Sequence, residues 1–173
     1  RTVDYFQLNN SFNIINKTII NMNSIPVIHD FFVLDDNVFI CDSPFSFHID
    51  NINNIRVPVK FNKKPTNIYV LNKTEDSINK FIANDSFYIF HYADIKYDDD
   101  NFDIYAPLYD DVDFSKLNIV GKYRQININR RTNEVKIIKN EILEKFNLDF
   151  PIKYNNKVIL RNIHNNNING FRS

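Results

Sequence analysis

Short runs of Ile, Val, Tyr and Phe, interrupted every few residues by clusters of Asn, Asp and Pro, set the strongest limit on what this chain can fold into. Such side chains suit a pleated, half-buried strand, and the polar clusters suit tight turns. Strands are expected at Asp30–Leu34, Val38–Asp42, Ile68–Leu71, Phe87–Ala93, Phe102–Ala106, Tyr123–Asn129, Glu134–Ile138 and Val158–Ile163. Arg124, Ile126 and Ile128 alternate with Tyr123, Gln125 and Asn127, which marks a strand with one wet face. Asp98–Asn101 and Arg130–Asn133 each separate two strand-like runs and read as hairpin turns. Helical pattern is confined to Lys139–Phe146 or Ser77–Phe81. Closely spaced strands with few helices predict an all-β sandwich, barrel or propeller. No tandem repeat stands out. Propeller blades of about 40 to 50 residues would number about four here, an arc that leaves strand edges open.

Composition narrows the function more than the fold. The chain has 173 residues, 43% of them hydrophobic and 14% aromatic, enough for one domain with its own core. Lys+Arg and Asp+Glu are 21 each, so no overall basic field exists to hold nucleic acid. Cys41 is the only cysteine, which excludes an internal disulfide and fits a reducing, cytoplasmic setting. No apolar run is long enough to span a bilayer and no signal peptide is visible. The chain opens on Arg1 and reads as a piece of a longer protein or a processed product. Four Asn-x-Ser/Thr sequons, at Asn9, Asn16, Asn72 and Asn84, are explained by chance in so Asn-rich a chain.

Several chemistries lose support. There is no HExxH, CxxC or GxSxG, and only Gly121 and Gly170 are available for a phosphate loop. The four histidines are His29, His48, His91 and His164. Two have unusual settings: His29 follows Ile25-Pro26-Val27-Ile28, and His91 lies inside Ser86–Ile95. They are 62 positions apart (91 − 29), so only a long-range fold brings them together. Imidazoles flanked by large apolar residues make a dry metal site. From spacing alone, the plainer reading of a core histidine bonded to a backbone carbonyl stands ahead.

Five segments between about Pro26 and Ile163 shift that balance. Ile28–Pro44 resembles a stretch of the carotenoid cleavage oxygenase family in which a histidine, an acidic or small residue and Phe precede two strands ending in Pro. Arg56–Lys73 is similar to its short strand and turn, and Phe87–Ile95 to its Phe-His-x-x-Asn segment. Gly121–Leu143 is similar to its strand–turn–strand hairpin, and Asn147–Ile163 to its Glu-Phe-Pro segment followed by an Arg that opens a strand. All five fall in the family's order.

The resemblance implies an all-β fold of antiparallel sheets forming part of a β-propeller: an incomplete ring, roughly half of a seven-bladed one. It implies one partial domain over residues 1–173. It also implies part of an iron(II) dioxygenase that splits a double bond of a carotenoid or apocarotenoid into carbonyl products. One Fe(2+) would be held by His29, His91 and two further histidines from outside this chain, with no catalytic group beyond the ligands and no other cofactor. Asp149 takes the place of a Glu that orients a ligand imidazole, and Arg161 that of a structural Arg. Asp94 replaces the usual Asn, Tyr97 the usual Glu, and Asp35 stands near an expected Thr. His48 and His164 match no ligand position and are assigned surface or structural roles. The implied partners are an apolar polyene, O2, the remainder of the same protein and peripheral contact with a membrane. Phe45 and Phe47 are read as core residues or as part of an apolar membrane patch. The alternatives are a non-catalytic β-propeller relic or interaction module, and an unrelated all-β binding domain.

Overall fold

A computed structural model describes residues 1–22, 25–47, 59–113 and 119–163. Strands β1 (Thr2–Leu8) and β2 (Ile14–Asn21) open the chain. They are followed by β3 (Phe32–Leu34), β4 (Asn37–Asp42), β5 (Phe45–Phe47) and β6 (Val59–Phe61). Then come β7 (Thr66–Asn72), β8 (Ser77–Ala83), β9 (Tyr88–Ile89), β10 (Asp94–Tyr97) and β11 (Asn101–Tyr109). Strands β12 (Lys122–Asn129), β13 (Val135–Ile138), β14 (Leu148–Tyr154) and β15 (Lys157–Asn162) follow, the last among the described residues. Every pairing among the described residues is antiparallel.

Two meanders of four consecutive neighbours, the second with β9 also paired to β11, have the form of propeller blades. The first runs β3-β4-β7-β8, with the β5–β6 hairpin as an excursion, and the second runs β10-β11-β12-β13. Hairpins β1–β2 and β14–β15 stand as separate two-stranded sheets. The chain is therefore all-β and forms part of a β-propeller.

Side-chain alternation explains how the layers stack. In the first blade, Phe39, Ile68 and Val70 turn to one side, where they meet Phe102, Ile104, Ile126 and Ile128 of the second blade. The rings of Phe39 and Phe102 meet edge to face, 5.1 Å apart. Val38, Ile40, Tyr69 and Leu71 turn to the other side and pack with Ile20 and Met22, with Val3 and Tyr5 of β1 against them. The first blade is thus covered on both faces, which is why β4 and β7 carry unbroken apolar runs. Strand β12 instead alternates: Arg124, Ile126 and Ile128 are buried, and the residues between them are half-buried.

Both expected hairpins form. Asp98 Oδ1 accepts the backbone N–H groups of Asp100 (2.8 Å) and Asn101 (2.7 Å), and Asn129 Oδ1 those of Arg131 (3.0 Å) and Thr132 (2.9 Å). These Asx turns explain the polar clusters between strands.

Three expectations are corrected. Ser77–Phe81 is not helical but belongs to β8. Its turn is fixed by Asn72 Oδ1, which accepts from Thr74 N and Glu75 N, and full pairing with β7 overrides local propensity. Lys139–Phe146 holds only a 3-10 turn at Leu143–Lys145 with no buried residue, too short and too exposed to propagate a helix. Phe87–Ala93 is not one strand: pairing stops after Ile89 and resumes at Asp94. Pro107 is the cause. Tyr105 O accepts from Ala93 N, so Pro107, two residues on, presents its donor-less nitrogen to the same edge. The ladder cannot close there, and Phe90–Ala93 bulges out carrying His91. Phe45 is buried in a cluster with Phe61, Tyr88 and Tyr109, which settles it as core. His48 and His164 lie outside the described residues, as does the side chain of Phe47.

Candidate metal centre

The bulge brings His91 to His29. His29 lies just before β3, and its ring centroid is 5.1 Å from that of His91, with the planes at 79°. Asp30 ties the two segments together: its Oδ1 accepts from Phe31 N (2.8 Å) and its Oδ2 from Tyr92 N (3.3 Å). Residues adjacent in sequence to each histidine are therefore joined by one carboxylate.

Each imidazole already has one nitrogen occupied. His29 Nδ1 lies 2.8 Å from Phe90 O. A carbonyl only accepts, so Nδ1 carries a hydrogen, and in the neutral ring the lone pair is then on Nε2. His91 Nδ1 lies 3.0 Å from Asp149 Oδ1, a carboxylate buried to 4% exposure. Asp, one methylene shorter than Glu, reaches the ring. Its backbone explains how: β14 is irregular between Asp149 and Ile152, and Phe150 sits at φ 53°. That left-handed conformation costs a bulky residue of order 1–3 kcal/mol. It turns Asp149 inward and lays the Phe150 ring 5.1 Å from His91. Arg161 stands over the same Phe150 ring at 5.6 Å, in keeping with a structural role.

A tyrosine completes the arrangement. Tyr109 Oη donates to Asp149 Oδ2 at 2.5 Å. Burial first, then this hydrogen bond, pushes the phenol well above its ordinary range, so it stays a donor. Phe90 stacks edge to face on Tyr109 (4.8 Å) and on His29 (5.4 Å). Arg124 anchors the approach to β14: it pairs with Asp110 (2.6 and 2.9 Å) and with Glu144 (2.7 and 2.9 Å).

Asp94, Tyr97 and Asp35 turn elsewhere. Asp94 pairs with Lys153 at 2.6 Å, and Tyr97 Oη donates to Asp35 at 2.8 Å. Among the described residues, no group of three or more His, Cys, Asp or Glu gathers as a metal cage. A cavity of 680 Å³ is lined by Asp42, Ser43, Lys64 and Lys80 among others and includes neither histidine.

The ring spacing leaves room for a shared cation. With metal–nitrogen bonds of about 2.1 Å, two rings on one ion have centroids at most about 6.4 Å apart, and these two are within that reach. Both rings also have Nδ1 tied to an acceptor, the usual way a ligand imidazole is oriented. Sequence reading missed Tyr109, Asp30, Phe90 and Phe150. The one available signal was Gly121, a rare glycine whose position beside Tyr109 is unreadable without the fold.

The model of the family described as retinal pigment epithelial membrane protein matches residues 1–162. No curated protein matches the sequence. Solved structures match in fold at low identity. An ACO/RPE65 chimera matches at TM-score 0.71 and 15% identity over 87% of this chain and 34% of that one. A point variant of such a chimera, in a trigonal crystal form, matches at 0.72 and 16% over the same shares. Cobalt-substituted apocarotenoid oxygenase (ACO) from Synechocystis matches at 0.69 and 14%, again over 87% and 34%. The chain spans about a third of the length of the structures it matches.

Proposed function

This chain belongs to the retinal pigment epithelial membrane protein family, the carotenoid cleavage oxygenases, and from that premise we propose that it is part of an iron(II) dioxygenase. The proposed reaction cleaves a double bond of a carotenoid or apocarotenoid to two carbonyl products. One observation carries the reading: two imidazoles 62 positions apart (91 − 29) meet at 5.1 Å, each with Nδ1 held by an acceptor.

His29 and His91 would hold the ion through Nε2, with two further histidines from the rest of the protein. Bound iron(II) supplies activation of O2. This chain's residues do the positioning. The Phe90 carbonyl fixes the tautomer of His29. Asp149 does the same for His91 and raises its basicity as a ligand. Phe90 and Phe150 lay apolar rings against the imidazoles, while His29 is exposed and His91 half-buried. Two imidazoles alone hold iron(II) weakly, because it sits low in the divalent affinity order. Weak or no activity is therefore expected of this chain by itself. We take residues 1–173 as one partial domain, in the cytoplasm and peripheral to a membrane.

A second reading is a non-catalytic relic or interaction module. It is favoured by Asp94 and Tyr97, which engage Lys153 and Asp35 instead of supporting the histidines. Iron content separates the two. Loaded anaerobically with iron(II), wild type should retain more metal than His29→Ala or His91→Ala. Equal, negligible iron in all three would leave the relic reading standing, and the same measurement on the whole polypeptide would then decide between the two. Expressed within its whole polypeptide, the chain should support carbonyl formation from a polyene, and His91→Ala should abolish it.

A further inference from the structure

We propose that Tyr109 is a positioning residue for the histidine pair. Its hydroxyl holds the Asp149 carboxylate in the orientation that meets His91, and Gly121 is glycine so that the phenol can lie there. The role concerns the same histidines as the reading above and rests on it for its bearing on metal.

A carboxylate's terminal torsion is broad and roughly two-fold. One hydrogen bond, from His91 to Oδ1, leaves Asp149 free to swing about that contact. A second, from Tyr109 to Oδ2, fixes the plane of the group. Both oxygens are then satisfied, which a residue exposed to only 4% requires. Tyr109 also reaches the pair from the other side, since its ring packs on Phe90, the residue before His91 and the carbonyl partner of His29.

The space for this phenol has been made. A Cβ at Gly121 would lie 2.8 Å from Tyr109 Cζ, 2.9 Å from Tyr109 Oη and 2.6 Å from Leu148 O. No real side chain tolerates such distances, so any other residue at 121 would push the phenol or β14 away. Two hydrogen bonds of the Gly121 backbone lock the approach: its N–H donates to the side-chain Asn147 Oδ1 (2.8 Å), and its carbonyl accepts from Leu148 N (2.9 Å). One of the two glycines among 173 residues is thus placed where the hydroxyl meets the carboxylate.

The test reads the tautomer of His91 by long-range proton–nitrogen NMR on the full chain, without metal. Wild type should show hydrogen on Nδ1 of both His29 and His91. In Tyr109→Phe, which keeps the ring and removes only the hydroxyl, His91 should become a mixture of tautomers. His29, held by its own carbonyl, should stay unchanged. Gly121→Ala should give the same signature with the hydroxyl retained, which guards against a Tyr109→Phe chain that does not fold. Co(II) affinity, read by its absorption, should fall about tenfold in Tyr109→Phe, the low end for partners behind a ligand. A folded Tyr109→Phe whose His91 signals match wild type would reduce Tyr109 to a core residue and overturn the proposal. A tautomer shift in a chain whose wild type binds no Co(II) would sustain the role of Tyr109 and leave the relic reading of the histidine pair standing.

Discussion

Replacing Gly121 by Ala adds one methyl group at the most crowded point of the site. That methyl would stand 2.6 Å from the Leu148 carbonyl oxygen, and the next contacts, at 2.8 and 2.9 Å, are to Tyr109. The tyrosine tip can tilt, but the carbonyl belongs to β14, whose first residue is tied back by Leu148 N to Gly121 O. Overpacking of this kind costs about 1–3 kcal/mol, and losing that backbone bond costs about 1 kcal/mol more. Against this, removing a glycine restrains the unfolded chain, worth about 0.4–1 kcal/mol. The unfavourable terms win, and the net loss is about 2–3 kcal/mol. Urea unfolding followed by circular dichroism should show it as a midpoint lowered by about 1 M, given a slope of about 1–3 kcal/mol per M. Adding Tyr109→Phe should recover only a minor part, because the carbonyl contact remains. A Gly121→Ala chain as stable as wild type would refute the packing argument.

Three further outcomes follow from the geometry. Burial raises the Cys41 thiol to about 12 and leaves it 5% exposed, so thiol reagents should label it only on unfolding; stoichiometric labelling of the native chain would contradict this. The Arg124 guanidinium holds the Glu144 carboxyl below its ordinary 4.5, so this pair's stability is full above that value and lost as pH falls through the lowered one. Arg124→Gln should cost about 2–3 kcal/mol at neutral pH, discounted because Asp110 is half exposed, and should flatten the acid limb of a pH–stability curve. Asp30→Ala removes the acceptor that joins the two histidine segments, and should cost about 1–2 kcal/mol and broaden the His29 and His91 signals together.

How much of this was legible depends on the range over which each cause acts. The alternation in β12 and the Asx turns at Asp98 and Asn129 are local, and the sequence announces them. Strand β8 was obscured because its partner β7, not its own propensity, makes it a strand. The His91 bulge was hidden because its cause, Pro107, lies in a different strand. His29, His91 and Asp149 are singled out in the sequence only through resemblance to a family, and the fold places them beside one another. Tyr109 and Gly121 were not, since a hydroxyl aimed across 40 positions and the space that admits it exist only in three dimensions.

The central claim is that His29 and His91 share one cation through their Nε2 atoms. Crystals of the chain soaked anaerobically in Co(II) and measured at the cobalt absorption edge test it directly. A single anomalous peak bonded to both Nε2 atoms, with both Nδ1 contacts kept, is the predicted result. Anomalous density elsewhere, or on one imidazole with the other ring turned away, would contradict it.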